Sequence, residues 1–129
     1  MNVTELIQKA ADAKEKAYVP YSGFHVGAAL LCKDGTVFTG CNIENSAYGP
    51  TNCAERTAIF KAVSEGYHEF QTIAIISDSK DFTSPCGVCR QVMAEFCEPD
   101  FEVTMVNCEG DYKTVTLEEL LPYAFSMKK

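Results

Sequence analysis

Two short cysteine motifs constrain this chain more than any other feature. Cys53-Ala54-Glu55 supplies one cysteine beside an acid, and Pro85-Cys86-Gly87-Val88-Cys89 supplies two more cysteines with CxxC spacing. A catalytic zinc site keeps three protein ligands and leaves the fourth position for water, whereas a structural site usually closes with four. Three cysteines with an adjacent acid fit the open kind, so the fold must bring Cys53, Cys86 and Cys89 to one metal ion.

Both motifs fall at predicted helix N-termini. Apolar residues recur at helical spacing from Cys53 to about Ser64, and a second such helix is predicted from Cys86 to about Phe96. Cys86 and Cys89 would then lie about one turn apart on the same face. The free backbone N–H groups and the helix dipoles would point toward the proposed zinc ion, and that placement stabilises thiolates.

Glu55 lies two residues after Cys53, within the same first helical turn. Its carboxylate is therefore placed to reach a water held on the metal rather than the metal itself. Zinc deaminases use this chemistry, with a glutamate that is not a ligand acting as general acid and base. The pattern favours hydrolytic deamination with Glu55 as the catalytic proton shuttle. A lone CxxC would equally fit a redox pair or half of a structural zinc site, and a lone glutamate would fit a solvated helix residue.

Arg56 follows Glu55 directly and is the candidate for charge compensation. Three thiolates on Zn²⁺ leave a net charge of −1, which opposes ionisation of a bound water. A guanidinium about 6 Å from the sulfurs would interact by roughly 3 kcal/mol at an effective dielectric constant of about 20. We predict that Arg56 hydrogen-bonds a cysteine sulfur; the alternative is an ordinary surface charge. His25 and His68 are alternative ligands, but neither lies in a ligand-spaced motif.

Composition narrows the class of partner and the compartment. The 129 residues suffice to bury a sizeable core, and we expect residues 1–129 to form a single domain. No apolar run approaches the roughly 20 residues that span a bilayer, and the N-terminal segment is polar and amphipathic, which predicts a cytoplasmic protein with no membrane partner. The formal net charge of −7 argues against nucleic acid, because such binding depends on Lys and Arg neutralising phosphates. A small neutral substrate fits better.

Seven cysteines in a secreted domain would suggest a disulfide framework with one thiol left over. In a reducing compartment, CxxC spacing indicates metal binding or electron exchange instead. Four cysteines lie outside the two motifs and are predicted to be small core residues: Cys32, Cys41, Cys97 and Cys108.

The predicted elements alternate as helix, two strands, helix, strand, helix, two strands, helix. Thr72–Ile76 is a nearly continuous apolar run, as expected of a central strand covered on both faces. The alternation predicts an α/β fold, a three-layer α/β/α arrangement around a central mixed five-stranded sheet. The other predicted elements are a helix over 3–17 capped by Asn2, strands over 26–33 and 36–43 joined by a two-residue Asp34-Gly35 turn, strands over 103–106 and 112–116, and a helix over 117–121.

Further motifs lie in order around the two cysteine motifs. They are Tyr21-Ser22-Gly23-Phe24 leading into Val26-Gly27-Ala28-Ala29, Asn42-Ile43-Glu44-Asn45, Arg56 after Glu55, and Arg90-Gln91 after Cys89. Together they cover nearly the whole chain and resemble those of the small homotetrameric cytidine deaminases of pyrimidine salvage. The family's larger relatives, including dimeric enzymes, use a histidine at the position of Cys53, so the resemblance is to the three-cysteine branch.

The resemblance implies one Zn²⁺ per subunit and a nucleoside substrate. Cytidine or deoxycytidine would be converted to uridine or deoxyuridine by attack of zinc-bound hydroxide on C4 of cytosine. Glu55 would move the proton to the ring and then to departing ammonia.

The resemblance also implies roles in substrate binding that spacing alone does not predict. The family counterparts of Asn42 and Glu44 hydrogen-bond the ribose, that of Phe24 packs against the pyrimidine, and Ala54 counts among the substrate-binding residues. Judged without the family, Asn42 and Glu44 are polar residues at a strand end and Phe24 belongs to the core. An Asn with a Glu two residues on nevertheless presents donors and acceptors on one face, which suits a sugar diol.

Two further segments are expected to reach a neighbouring subunit. Phe125 resembles a C-terminal phenylalanine that enters the neighbour's site in the family, and the residues after Pro122 are too few to form a core of their own. Ser46 to Tyr48 resembles a segment that also faces a neighbouring site. The alternative is that Phe125 docks on its own subunit.

Three other functions compete with this interpretation. A deaminase of another pyrimidine-like compound, such as an aminonucleoside antibiotic, would share the zinc chemistry, although the Asn42 and Glu44 pair favours a free ribose. A polynucleotide cytosine editor conflicts with the acidic charge. A zinc-stabilised binding module without turnover would have no need of Glu55.

Overall fold

A five-stranded mixed sheet with β3 at its centre organises the molecule. The computed structural model describes residues 1–128. Its strands lie in the order β2-β1-β3-β4-β5. β3 runs antiparallel to β1 and parallel to β4, and the two edge strands are antiparallel to their neighbours. The strands are β1 (Val26–Cys32), β2 (Val37–Cys41), β3 (Phe70–Ser77), β4 (Glu102–Val106) and β5 (Tyr112–Thr116).

Helices cover both faces of this sheet. The four helices are α1 (Val3–Lys14), α2 (Ala54–Ser64), α3 (Gly87–Phe96) and α4 (Leu117–Leu120). α1 packs on one face, whereas α2 and α3 pack on the other. The predicted three-layer α/β/α fold is confirmed. Within residues 1–128 no helix combines the length and the apolar character needed to cross a membrane.

β3 is the central strand predicted from the apolar run. Ile73 and Ile75 face the layer of α2 and α3, while Ala74 and Ile76 face α1. A strand buried on both faces has no exposed positions for polar residues, which explains why this segment does not alternate.

Helix α1 begins as predicted but ends earlier. The Asn2 side chain accepts a hydrogen bond from the Glu5 backbone N–H at 2.9 Å, as an N-cap does. The apolar spacing predicted a helix to residue 17, but the regular helix ends at Lys14. The Ala17 N–H bonds back to the Lys14 carbonyl oxygen, and the next residue, Tyr18, donates to the Asn42 carbonyl oxygen at 3.0 Å. The chain therefore leaves the helix to join the end of β2.

The turn between β1 and β2 differs from the prediction. Cys32 N–H bonds to the Thr36 carbonyl oxygen, and Gly35 N–H bonds to the Cys32 carbonyl oxygen. The loop therefore has three residues, 33–35, rather than the predicted two. Gly35 is the member of the Asp34-Gly35 pair with positive φ, at 95°. This combination is the usual three-residue hairpin, in which a tight turn is followed by a left-handed glycine.

The four cysteines outside the two motifs are less buried than predicted. All seven cysteines are free thiols. Cys32 is buried as expected, and Cys41 and Cys97 are half-buried. Cys108 is exposed, because it lies in the turn that follows β4 rather than in a strand. The prediction of a core role is wrong for Cys108.

Two glycines allow the helices to approach the sheet closely. A Cβ on Gly27 in β1 would collide with backbone atoms of Ala10 and Lys14 in α1. A Cβ on Gly40 in β2 would lie 2.5 Å from the Ala54 carbonyl oxygen and 2.6 Å from the Ala58 backbone nitrogen. Gly40 therefore sets the distance between the sheet and the first turn of α2.

We predict that Gly40→Ala lowers the free energy of unfolding by about 1–3 kcal/mol, because backbone atoms of α2 must move to admit the methyl group. The control is Gly49→Ala, since a Cβ at Gly49 meets nothing within 4 Å and no positive φ is required there. Chemical denaturation of both variants checks this. Equal stability of the two variants would contradict the prediction.

Candidate metal centre and active site

Three cysteine sulfurs converge where α2 and α3 begin. Cys53 is the N-cap of α2 and Cys86 is the N-cap of α3. The Cys86 Sγ lies 3.7 Å from Cys53 Sγ and 3.3 Å from Cys89 Sγ. All three sulfurs lie within 4.8 Å of one another. The predicted placement of both cysteine motifs at helix N-termini is confirmed.

This cluster has the donor set and spacing that zinc requires. Tetrahedral coordination with Zn–S bonds of about 2.3 Å places two sulfurs about 3.8 Å apart. The separations of 3.3 and 3.7 Å from Cys86 Sγ to the other two sulfurs are close to that value, and the third pair lies within 4.8 Å. Cys89 is buried, Cys53 is half-buried and Cys86 is exposed, so the cluster is accessible from one side. Three thiolates with an open side match a catalytic rather than a closed structural site.

The thiolate is the form of cysteine that binds metal, and the surroundings favour it at Cys53. Hydrogen bonding to Cys53 and burial instead raise the pKa of the Cys89 thiol. The Cys89 backbone N–H donates to Cys86 Sγ at 3.4 Å in the first turn of α3. Hydrogen bonding from Cys89 lowers the pKa of Cys53 to about 5 against the opposing effect of burial, with further contributions from Arg56 and Cys86. Cys53 is therefore prepared to ionise at neutral pH.

Arg56 makes the contact that the sequence predicted. Its Nη2 donates a hydrogen bond to Cys53 Sγ at 3.2 Å. This distance is shorter than the 6 Å assumed from sequence, so the attraction is correspondingly stronger. The contact also raises the pKa of the Arg56 guanidinium, so the group stays charged. Its Nε is buried and has no hydrogen-bond partner within residues 1–128.

Glu55 is buried beside the cysteines, with 4% of its surface exposed. Burial raises the pKa of its carboxyl to about 7. A carboxyl group with a pKa near neutrality can both accept and return a proton, which an ordinary surface glutamate cannot do efficiently. The sequence alternative of a solvated helix residue is excluded by this burial.

Asn42 and Glu44 follow β2 and both bind the segment that carries Phe24. The Asn42 Oδ1 accepts from the Val26 backbone N–H at 2.9 Å, and its Nδ2 donates to the Phe24 carbonyl oxygen at 2.8 Å. The Glu44 carboxylate accepts from the backbone N–H groups of Tyr21 and Ser22 at 3.0 and 3.1 Å and from the Ser22 hydroxyl. Both side chains retain further hydrogen-bonding capacity and are held in fixed orientations.

The remaining predicted site residues differ in exposure. Phe24 is 41% exposed and does not belong to the core, contrary to the interpretation made without the family. Tyr48 and Phe125 are 93% and 69% exposed, and the Phe125 carbonyl oxygen accepts a hydrogen bond from Gln91 Nε2 at 3.0 Å. Ala54 is fully buried in the first turn of α2, where backbone N–H groups lack intrahelical partners. Only its backbone is suited to bind a ligand.

The histidines considered as alternative ligands lie elsewhere. His25 Nδ1 is 2.9 Å from Asp78 Oδ2, and the His68 ring lies 6.5 Å from the Phe96 ring. Within residues 1–128 the group of potential metal ligands is the three-cysteine cluster.

Thr57 supports the site but was not predicted from the sequence. The Thr57 hydroxyl contacts the carbonyl oxygens of Cys41 and Cys53 at 3.0 and 3.1 Å and accepts from Asn52 Nδ2. It therefore ties the end of β2 to the start of α2. Its only sequence signal is its place one turn after Cys53, which does not distinguish it from an ordinary helix residue.

Comparison with known proteins agrees with this site. Residues 1–105 match the family model described as the cytidine and deoxycytidylate deaminase zinc-binding region. A cytidine deaminase of Sporosarcina psychrophila is 56% identical over 126 residues, covering 98% of this chain and 93% of that protein. A blasticidin-S deaminase of Bacillus cereus is 34% identical over 130 residues, covering 95% of this chain and 91% of that protein.

Solved structures show the same relationship. The crystal structure of a cytidine deaminase from Burkholderia pseudomallei superposes with a TM-score of 0.94 at 50% identity, covering 97% of this chain and all of that one. The matched region includes all three cysteines of the cluster. This chain therefore belongs to the family of zinc-binding cytidine and deoxycytidylate deaminases.

Proposed function

We propose that this chain catalyses the hydrolytic deamination of cytidine and deoxycytidine to uridine and deoxyuridine in pyrimidine salvage. The observation that carries the proposal is the burial of Glu55 beside three converging cysteine sulfurs. Its carboxyl group has a pKa of about 7. A structural metal site has no use for a buried proton-exchanging carboxyl. The family to which the chain belongs supports cytidine as the substrate.

Cys53, Cys86 and Cys89 would hold one Zn²⁺ per subunit. When bound there, the metal supplies a Lewis acid that lowers the pKa of water and makes a hydroxide nucleophile available at neutral pH. Arg56 offsets the excess negative charge of the three thiolates through its hydrogen bond to Cys53 Sγ. It also fixes the orientation of that sulfur.

Glu55 carries the protons of the reaction. It takes a proton from the water that attacks C4 and delivers it to ring N3. It then takes the proton of the new hydroxyl group and gives it to the amino nitrogen as the C4–N bond breaks. Ammonia leaves, C4 keeps the oxygen as a carbonyl, and Glu55 returns to its ionised form. A pKa near 7 keeps both the accepting and the donating form of Glu55 available at neutral pH.

Asn42, Glu44 and Phe24 would bind the nucleoside. The carboxylate and amide suit the hydroxyl groups of a ribose, and the exposed ring of Phe24 suits the face of a pyrimidine. The backbone of Ala54 would contribute a free N–H at the helix start. The net charge of −7 disfavours a polynucleotide and is compatible with an uncharged nucleoside.

The working form would be a cytoplasmic homotetramer of single-domain chains spanning residues 1–129. Tyr48 and Phe125 are large aromatic side chains that stand out from the subunit surface. Exposed aromatic residues of this kind are common where another protein surface packs. Each would complete a neighbouring subunit's site.

A second candidate substrate is an aminonucleoside antibiotic that carries a cytosine ring. The resemblance to blasticidin-S deaminase favours it, because that relative covers most of this chain at 34% identity. Asn42 and Glu44 favour the free ribose of cytidine over a modified sugar.

Glu55→Gln should lower cytidine turnover by about 10²- to 10⁴-fold, because the amide cannot carry a proton. The measurement is loss of the ultraviolet band of cytidine in zinc-loaded protein, with metal content determined in parallel. Glu65→Gln at the exposed end of the same helix is the matched control and should remain fully active.

Two results would contradict this assignment. Turnover by Glu55→Gln within threefold of the unmodified protein would exclude Glu55 as the proton shuttle. No cytidine turnover by any variant with zinc bound would exclude cytidine, and the same assay with blasticidin S would then test the second candidate.

Arg56→Gln should weaken zinc binding by about 10- to 100-fold, as removal of a residue that orients a ligand does. With less positive charge beside the thiolates, neighbouring groups ionise less readily, so the acid limb of the pH–activity profile should move to higher pH. A metal-competition titration and a pH profile check both effects. Unchanged zinc affinity together with an unchanged profile would make Arg56 an ordinary helix charge.

Mixtures of two inactive or weakened variants test whether subunits share sites. Glu55→Gln subunits lack the proton shuttle, and Phe125→Ala subunits should bind cytidine weakly and give a raised KM. Co-refolding the two should create sites that combine an intact Glu55 with an intact neighbouring Phe125. Turnover by the mixture should therefore exceed the sum of the separate variants. A purely additive result would show that Phe125 serves its own subunit.

A further inference from the structure

The guanidinium of Arg90 connects two segments that are distant in sequence. Its Nε donates to the Pro85 carbonyl oxygen at 2.8 Å, and its Nη2 donates to Ser84 Oγ at 2.6 Å. Its Nη1 donates to the Leu120 carbonyl oxygen at 2.7 Å. In the described part of the chain no carboxylate forms an ion pair with Arg90. Its charge instead strengthens these three hydrogen bonds.

The first two acceptors belong to the loop that delivers Cys86 to the metal site. Residues 82–86 have no helix or strand geometry, so no regular backbone ladder holds them. Pro85 is buried and lacks a backbone N–H, which leaves its carbonyl oxygen as its only backbone hydrogen-bonding group. Cys86 is also the most exposed of the three cysteines and is the least constrained by packing. The position of its sulfur therefore depends on the loop that Arg90 holds.

The third acceptor lies at the end of α4. A carbonyl group in the last turn of a helix has no intrahelical donor, and Arg90 supplies one to Leu120. The next residue, Gln91, donates to the Phe125 carbonyl oxygen at 3.0 Å. Successive residues of α3 thus hold the beginning and the middle of the C-terminal segment, defined as residues 120–128.

We propose that Arg90 is a positioning residue that holds the loop of residues 82–86 against the C-terminal segment and thereby slows release of the metal. The proposal rests on the zinc site of the proposed function but not on the substrate. The planar guanidinium is essential, because its donors point in the three required directions at once. A lysine ammonium would keep the charge but cannot span the three acceptors.

The test measures zinc release from zinc-loaded protein into a chromophoric chelator, at a temperature at which circular dichroism shows every variant to be folded. Arg90→Gln and Arg90→Lys should both release zinc at least about 10-fold faster than the unmodified protein, the size of effect expected when support for a ligand is lost. Amide hydrogen exchange in residues 120–128 should accelerate in the same two variants. Gln91→Ala is the matched control and should accelerate exchange near Phe125 without changing zinc release.

Several outcomes would overturn the proposal. Release at the unmodified rate in both Arg90 variants would make Arg90 a residue of general stability, and restored slow release in Arg90→Lys would show that charge alone matters. Faster release without faster exchange would show that the loop and the C-terminal segment are not coupled. An unmodified protein that binds no zinc would contradict the proposed function as well, whereas the other outcomes leave that function intact.

If the Arg90 variants do not fold, Ser84→Ala provides the test. It removes one of the three acceptors from an exposed position. Zinc release two- to threefold faster than in the unmodified protein is expected, and an unchanged rate would contradict the proposal.

Discussion

The convergence of three cysteine sulfurs at one point governs how this chain is arranged. Thiolates at the separations of 3.3 and 3.7 Å found for two of the sulfur pairs would repel one another strongly unless positive charge is brought to them. Two helices begin at the same place, so the partial positive charge of both N-termini faces the sulfurs. Arg56 adds a full charge in direct contact. The sheet serves this arrangement because it fixes where α2 and α3 begin.

Close packing of α2 on the sheet has a second effect at the same place. Gly40 lets the first turn of α2 approach β2 closely, and Glu55 is buried in that same turn. The raised pKa of Glu55 is therefore a consequence of backbone packing as much as of its chemical neighbours. Thr57 holds the same junction from the other side through its bonds to Cys41 and Cys53. The first turn of α2 therefore both packs closely on the sheet and carries the proposed proton shuttle.

Local signals in the sequence predicted much of the fold and the cysteine cluster. Apolar periodicity located α2, α3 and the buried β3, and Asn2 marked the start of α1. Asp34-Gly35 was misjudged because the pair suits loops of two and of three residues, and the choice depends on how Cys32 pairs with Thr36 across the hairpin. Local patterns do not contain that pairing.

Features that depend on distant contacts could not be predicted in this way. The burial of Glu55 requires the layer of α2 against the sheet, and the acceptors of Arg90 come from positions 84, 85 and 120. Cys108 was expected in the core because cysteines usually are, but the end of β4 places it in an exposed turn. Asn42 and Glu44 were predicted as ligands of a sugar, and their hydrogen bonds to the segment before β1 became visible only in three dimensions.

The spacing of the cysteines also makes the stability of the folded chain depend on the bound metal. Cys53 and Cys86 are 33 residues apart, and the intervening segment contains all of α2 and β3. An ion held by both is a reversible cross-link that closes this loop around the centre of the sheet. Anything that binds the native state in preference to the unfolded state stabilises it in proportion to the logarithm of its free concentration. Removal of the ion would therefore weaken the fold around the centre of the sheet at the same time as it disables the site.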